Sequence, residues 1–168
     1  PMRMLTLQGA DGQPQRVWYL LYRIRNTGGY LKAVPKEDAF GNTQFVMAKG
    51  SRTLRFLPLL VLRSHEFDKS YTDRLIPGVL DRIHQIEIRD PKIPLHDSVS
   101  ISKVSLAPST ETVDRSVWGV ATWLAVDRRT DFFSVYVQGL SNAYRWQQDD
   151  ANPEQPSLTY KTLQINFW

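Results

Sequence analysis

The chain has 168 residues, 42% of them hydrophobic, with 21 basic against 17 acidic side chains, a formal charge of +4 and no cysteine. That balance belongs to a folded domain large enough to bury a real core, and it excludes disulfides, thiolate metal sites and cysteine nucleophiles. The basic residues behind the pI of 9.4 never form a run longer than two, so the stripe expected of a nucleic-acid binder is missing; the longest apolar stretch, Phe56 to Leu62, is far short of the roughly 20 residues of a membrane span.

Met2 to Gln8 reads as a short first strand, closed by the turn-rich Gly9-Ala10-Asp11-Gly12-Gln13-Pro14. Val17 to Arg25 is a clear strand, with Trp18, Leu20, Tyr22 and Ile24 on one face and Val17, Tyr19, Leu21, Arg23 and Arg25 on the other. Asn26-Thr27-Gly28-Gly29 ends it. An exposed, irregular connection follows, with short strands expected at Tyr30 to Val34 and Gln44 to Ala48 around the loop signal Phe40-Gly41-Asn42. Arg55 to Arg63 has the apolar content of a strand, and Pro58, which cannot donate to a ladder, favours a sheet edge or a bulge, the edge ahead of the bulge.

From Tyr71 to Glu87 the period changes. Ile76, Val79, Leu80, Ile83 and Ile86 fall at helical spacing, and Pro77 suits a first helical turn, so a short helix is expected around residues 75–87, ending before Asp90-Pro91. Ser98 to Leu106 alternates as a strand with a bulge near Lys103. Val117 to Val126 and Phe132 to Gln138, joined by Asp127-Arg128-Arg129-Thr130-Asp131, have the spacing of a hairpin. Gly139 to Asn142 is a turn, Gln147 to Ser157 a polar loop, and Tyr160 to Trp168 a last strand with Leu163, Ile165 and Phe167 inward. Together these elements predict a single domain over 1–168, mostly β: an antiparallel β-sandwich of immunoglobulin-like character with one helix. A chain that starts at Pro1 and stops at Trp168 inside an expected strand is expected to be a portion of a longer protein.

The segments Val17 to Asn26, Tyr71 to Pro77, Phe133 to Asn142 and Lys161 to Phe167 together resemble an uncharacterised family of exported planctomycete proteins. The resemblance implies a place outside the cytoplasm, periplasmic or extracellular, and brings no activity with it. More loosely, Tyr22 to Asn26 running into Thr27-Gly28-Gly29 is similar to bacterial immunoglobulin-like modules, a fold that hosts many unrelated functions.

Candidate chemistry is sparse. The histidines His65, His84 and His96 lack the paired spacing of zinc sites, although His65-Glu66-Phe67-Asp68 and His96-Asp97 hold the right atom types. His84 and Glu87 are three apart on the expected helix and should pair on its surface. Ser141 lacks the glycine-flanked strand-to-helix turn of a hydrolase nucleophile, and a turn with a side-chain hydrogen bond from Ser141 or Asn142 is expected instead. The carboxylate pairs Asp127/Asp131 and Asp149/Asp150 sit in turns without a calcium-loop pattern. Aromatics carry the remaining signal. Either Trp118 or Trp123 must face the core, and whichever does not, together with Tyr144 and Trp146, is a candidate contact residue. The expected function is therefore a non-catalytic module of an exported bacterial protein, contacting another protein or an envelope component, with no cofactor and no nucleic acid. The alternatives are a carbohydrate-binding module using Trp146 and a metal-dependent hydrolase built from His65, Asp68, His84 or His96.

Overall fold

The computed structural model describes residues 1–9, 12–29, 31–50, 52–141, 143–149 and 152–168. The expected turn positions Ala10, Asp11 and Asn142, the strand start Tyr30, and Asp150 of the last carboxylate pair lie outside the described residues. The described elements run β1 (Met2–Gln8), β2 (Pro14–Ile24), β3 (Leu31–Glu37), β4 (Thr43–Lys49), β5 (Leu59–Ser64), β6 (Lys69–Thr72), α1 (Val79–Glu87), β7 (Leu95–His96), α2 (Ser98–Lys103), β8 (Val117–Leu124), β9 (Phe133–Gln138), β10 (Tyr144–Asp149), β11 (Asn152–Tyr160) and β12 (Leu163–Phe167). The protein is mostly β, in several antiparallel sheets that do not close into a barrel, with β7 and β8 running parallel to each other.

Two four-stranded sheets make the body, ordered β1-β2-β8-β7 and β12-β9-β5-β6. The alternation of β2 decides their arrangement. Trp18 and Leu20 face Trp123 and Ala121 of β8 and join Leu60, Leu62, Phe133, Val135 and Val137 of the second sheet in one apolar cluster. The edge-on contact of Trp18 with Phe133, 5.3 Å between ring centres, lies within it. The opposite face of β2, with Val17 and Tyr19, meets Val79 and Ile83 of α1 in a second cluster. Both faces of β2 are therefore apolar because a sheet covers one and a helix the other. Gly119 sits mid-strand opposite Tyr22 because a Cβ there would overlap the tyrosine ring.

Several expectations need correction. Val117 to Val126 and Phe132 to Gln138 are not a hairpin: β8 pairs with β2 and β7, β9 with β12 and β5. The intervening chain leaves one sheet for the other, carrying Val126 into the shared core and placing Ala125 at φ +58°. β5 is an inner strand rather than an edge, because it starts at Leu59, one residue beyond Pro58, and no ladder position falls on the proline. Ser98 to Lys103 is helix α2 and not a bulged strand. Asp97 caps it by accepting from the Val99 and Ser100 amides at 3.1 and 2.6 Å, and Ile101 alone turns fully inward.

α1 starts at Val79, later than residue 75, because Gly78 at φ +75° breaks the chain direction ahead of it. Ile86 of the expected apolar stripe stays exposed. His84 and Glu87 do not pair. His84 Nε2 bonds the Ile93 carbonyl oxygen at 2.7 Å, while Glu87 accepts from the Tyr19 hydroxyl at 2.6 Å and from Arg3, fastening the helix to the first sheet. The expected polar loop, Gln147 to Ser157, instead holds the end of β10 and the first part of β11, with residues 150 and 151 outside the described ones.

Candidate interaction surface

Two hairpins stand apart from the body as separate two-stranded sheets, β3–β4 and β10–β11. Their register sorts their side chains. In β10–β11, Tyr144 lies opposite Tyr160 and Trp146 opposite Leu158, so these four share one face, while Arg145, Gln147, Ser157 and Thr159 share the other. In β3–β4, Leu31, Ala33 and Pro35 share a face with Phe45 and Met47, with Lys49 opposite Leu31 at one end and Glu37 opposite Thr43 at the other. These apolar faces are uncovered: Tyr144, Trp146, Leu158, Tyr160, Leu31, Phe45 and Met47 are between 50% and 73% exposed. At the β3–β4 tip, Asp38 accepts from the amides of Phe40 and Asn42 at 2.9 and 2.8 Å, which hold its carboxyl below the usual range, and Phe40 projects into solvent.

Both hairpins are rooted at the same end of the body. Buried Asn26 ties down the first: its amide donates to the Arg52 carbonyl at 3.0 Å and to the Leu106 carbonyl at 2.9 Å, and its Oδ1 accepts from the Gly28 amide. Asn26 thus joins the chain entering the hairpin to the chain leaving it. The second hairpin follows Gly139, at φ +94°, where a Cβ would overlap the Leu57 carbonyl oxygen on the exit path of the first. Arg55, Leu57, Gly139, Ser141 and Tyr160 line a cleft of about 320 Å³ between the two roots. Ser141 accepts from the Ala143 amide at 3.3 Å, the turn bond expected of it.

The aromatic candidates separate cleanly. Trp123 lies fully inside the inter-sheet core, so it is withdrawn as a contact residue. Trp118 takes the opposite parity, half-buried against the helix-side cluster, with the Arg23 guanidinium 5.2 Å over its ring. Tyr144 and Trp146 remain exposed together on β10.

Two polar constellations were not legible in the sequence. On the second sheet, His65 Nε2 lies 2.7 Å from Ser134 Oγ, the pairing a hydrolase would use. Ser134, however, donates to Asn166 Oδ1 at 2.7 Å and accepts from Gln164 at 3.2 Å, so its hydrogen and both lone pairs are taken and His65 must donate to it. The cluster holds β5, β9 and β12 together and leaves no nucleophile. The second is a cavity of about 280 Å³ beside α1 into which Asp73 and Asp97 face. Asp73 is held by the Thr122 amide at 2.6 Å and by the Ser98 hydroxyl, and Arg74 N–H reaches the Thr122 carbonyl at 2.9 Å. The carboxylate thereby extends the ladder at the edge of β8 where β7 runs out. Burial raises its pKa, with the Asp97 charge adding to the effect.

Asp127 pairs with Arg129, which lowers its pKa to about 2, and Asp131 offers its amide to Glu66. Among the described residues no three His, Asp or Glu side chains are placed to hold a metal ion, and no helix is long and apolar enough to cross a membrane. No protein-family model matches the chain, and neither a curated protein nor a solved structure matches it.

Proposed function

We propose that this chain is a non-catalytic interaction module of an exported bacterial protein, a β-sandwich of immunoglobulin-like character whose working surface is the pair of hairpin arms. The observation that carries this proposal is the one-sided apolar face of β10–β11, where Tyr144, Trp146, Leu158 and Tyr160 stand unburied on a sheet of two strands. Exposed apolar patches of this kind mark contact sites, and tryptophan and tyrosine dominate binding energetics where they become buried. A protein partner is favoured over a glycan because the Tyr144 and Tyr160 rings are tilted by 52° and offer no common plane for sugar stacking. Export rests on the sequence resemblance alone.

A photoreactive residue placed at Trp146 or at Phe45, with Ser70 on the body as control, tests the assignment in envelope suspensions of a host making the chain. Adducts should form from the two arm positions and not from Ser70. Absence of arm adducts, or equal yield at Ser70, would remove the arms as the working surface.

A further inference from the structure

We infer that the occupant of the arms is a second copy of this chain, paired crosswise, with the aromatic face of β10–β11 in one copy lying on the Leu31-Phe45-Met47 face of β3–β4 in the other. The inference rests on the arms being a contact surface and adds what they contact.

Three observations carry it. The first is area. Seven arm side chains are each 50% to 73% exposed; at about 200 Å² for each of the four aromatics and less for Leu31, Met47 and Leu158, they present on the order of 700 Å² per copy, close to the share per partner of a standard stable interface. One arm alone offers about half of that, in the range of weak contacts. The second is geometry. Both roots border one cleft, at Leu57, Gly139 and Tyr160, so a two-fold axis at that end of the body brings each arm of one copy to the unlike arm of the other, and the contact is made twice. The third is charge. Residues 31–49 carry three lysines against two acids, whereas 144–160 carry one arginine against three acids. Lys32 and Lys36 lie on the strand face away from Phe45 and Met47, so the opposite net charges favour the approach of unlike arms rather than acting across the apolar contact itself. Burial would also relieve the marginal stability of a lone two-stranded sheet.

Sedimentation equilibrium on the purified chain, from about 1 to about 100 µM, detects a dimer with a dissociation constant in or below that range. The expected result is a species of twice the 19.4 kDa chain mass. Trp146→Ser and Phe45→Ser, both at exposed positions, should keep the melting curve of the parent measured at concentrations where it is monomeric, and each should weaken association at least about tenfold, as losing a central aromatic does. Mixing the two variants should restore association in part, because the mixed pair keeps one crosswise contact of unsubstituted arms. A parent chain that stays monomeric throughout would overturn the self-pairing, as would a dimer untouched by either substitution or a dimer lost only with Trp146→Ser. If arm crosslinks form to a different protein while the purified chain is monomeric, the contact surface stands and the second copy falls. If no arm crosslinks form at all, both fall.

Discussion

Trp123 and Trp146 are the same residue on strands of the same period, yet one is sealed between two sheets and the other is 54% exposed. The same contrast runs through the molecule. β2 and β8 have helix on one side and sheet on the other, whereas β3–β4 and β10–β11 repeat the alternation with nothing described over their apolar faces. Alternation fixes which side chains share a face; what covers that face depends on neighbours distant in sequence. The widest test of this difference is to truncate both tryptophans. Trp123→Ala should cost about 3–5 kcal/mol, the range for large aromatic deletions in a packed core, whereas Trp146→Ala should stay within about 0.5 kcal/mol in the monomer. Urea unfolding at low protein concentration reads both. Equal losses would mean that the arm unfolds as part of the body, and the distinction between them would disappear.

The body was legible where local pattern and burial agree. Val17 to Ile24 showed its two faces, the Trp118/Trp123 parity was resolved as one inside and one beside the helix, and Phe40-Gly41-Asn42 marked the turn of β3–β4. It was illegible where a local signal competed with a remote one. Val99, Ile101 and Val104 have β-branched composition, but Asp97 at the N-cap overrides it, and Asp97 was the signal that would have revealed α2. Connection length suggested a β8–β9 hairpin, but each strand finds its partners elsewhere, β8 between β2 and β7 and β9 between β12 and β5. β10–β11 was hidden, since Tyr144 and Trp146 read as part of the loop after Asn142 and Pro153 and Pro156 make the second strand read as a loop. The His65–Ser134 pair joins residues 69 apart in the chain and follows only from the β5–β9 register.

The roots of the arms sharpen the comparison at an intermediate scale. Gly139→Ala places a methyl group against the Leu57 carbonyl in a backbone conformation unfavourable to alanine, and overpacking of this kind costs about 1–3 kcal/mol. Hydrogen exchange should show the loss in the amides of 144–149 and 152–160 before those of β2 and β8. Asn26→Ala removes the donor shared by the Arg52 and Leu106 carbonyls and should cost about 1–2 kcal/mol, with β3–β4 the first to gain exchange. If either substitution loosens both arms equally, the roots form one unit; if it loosens the body first, the arms are not the weaker region.

The smallest effect lies on the body's side, at Asp73. Its carboxyl is raised above the ordinary 3.8 by burial, and Asp97 reinforces the shift. The folded state therefore holds a proton there at pH values where the unfolded chain has lost it, so this group's contribution to stability is complete below about pH 3.8 and declines as pH rises through the folded-state pKa. Asp38, Asp114 and Asp127, whose carboxyls are lowered, act in the opposite sense and lose their contribution as the solution turns acid. Asp73→Asn separates the two. Its Oδ1 still accepts from the Thr122 amide and its Nδ2 donates to Ser98 Oγ, so the ladder extension survives while the titration goes. Stability at neutral pH should be equal to or greater than the parent's, by less than about 1 kcal/mol, the scale of one hydrogen-bond exchange. The parent-minus-variant difference should grow as pH falls from neutrality toward 3.8. A difference that shrinks over that interval would mean that the Thr122 and Ser98 bonds outweigh desolvation, and that Asp73 stabilises the sheet edge as a charged carboxylate.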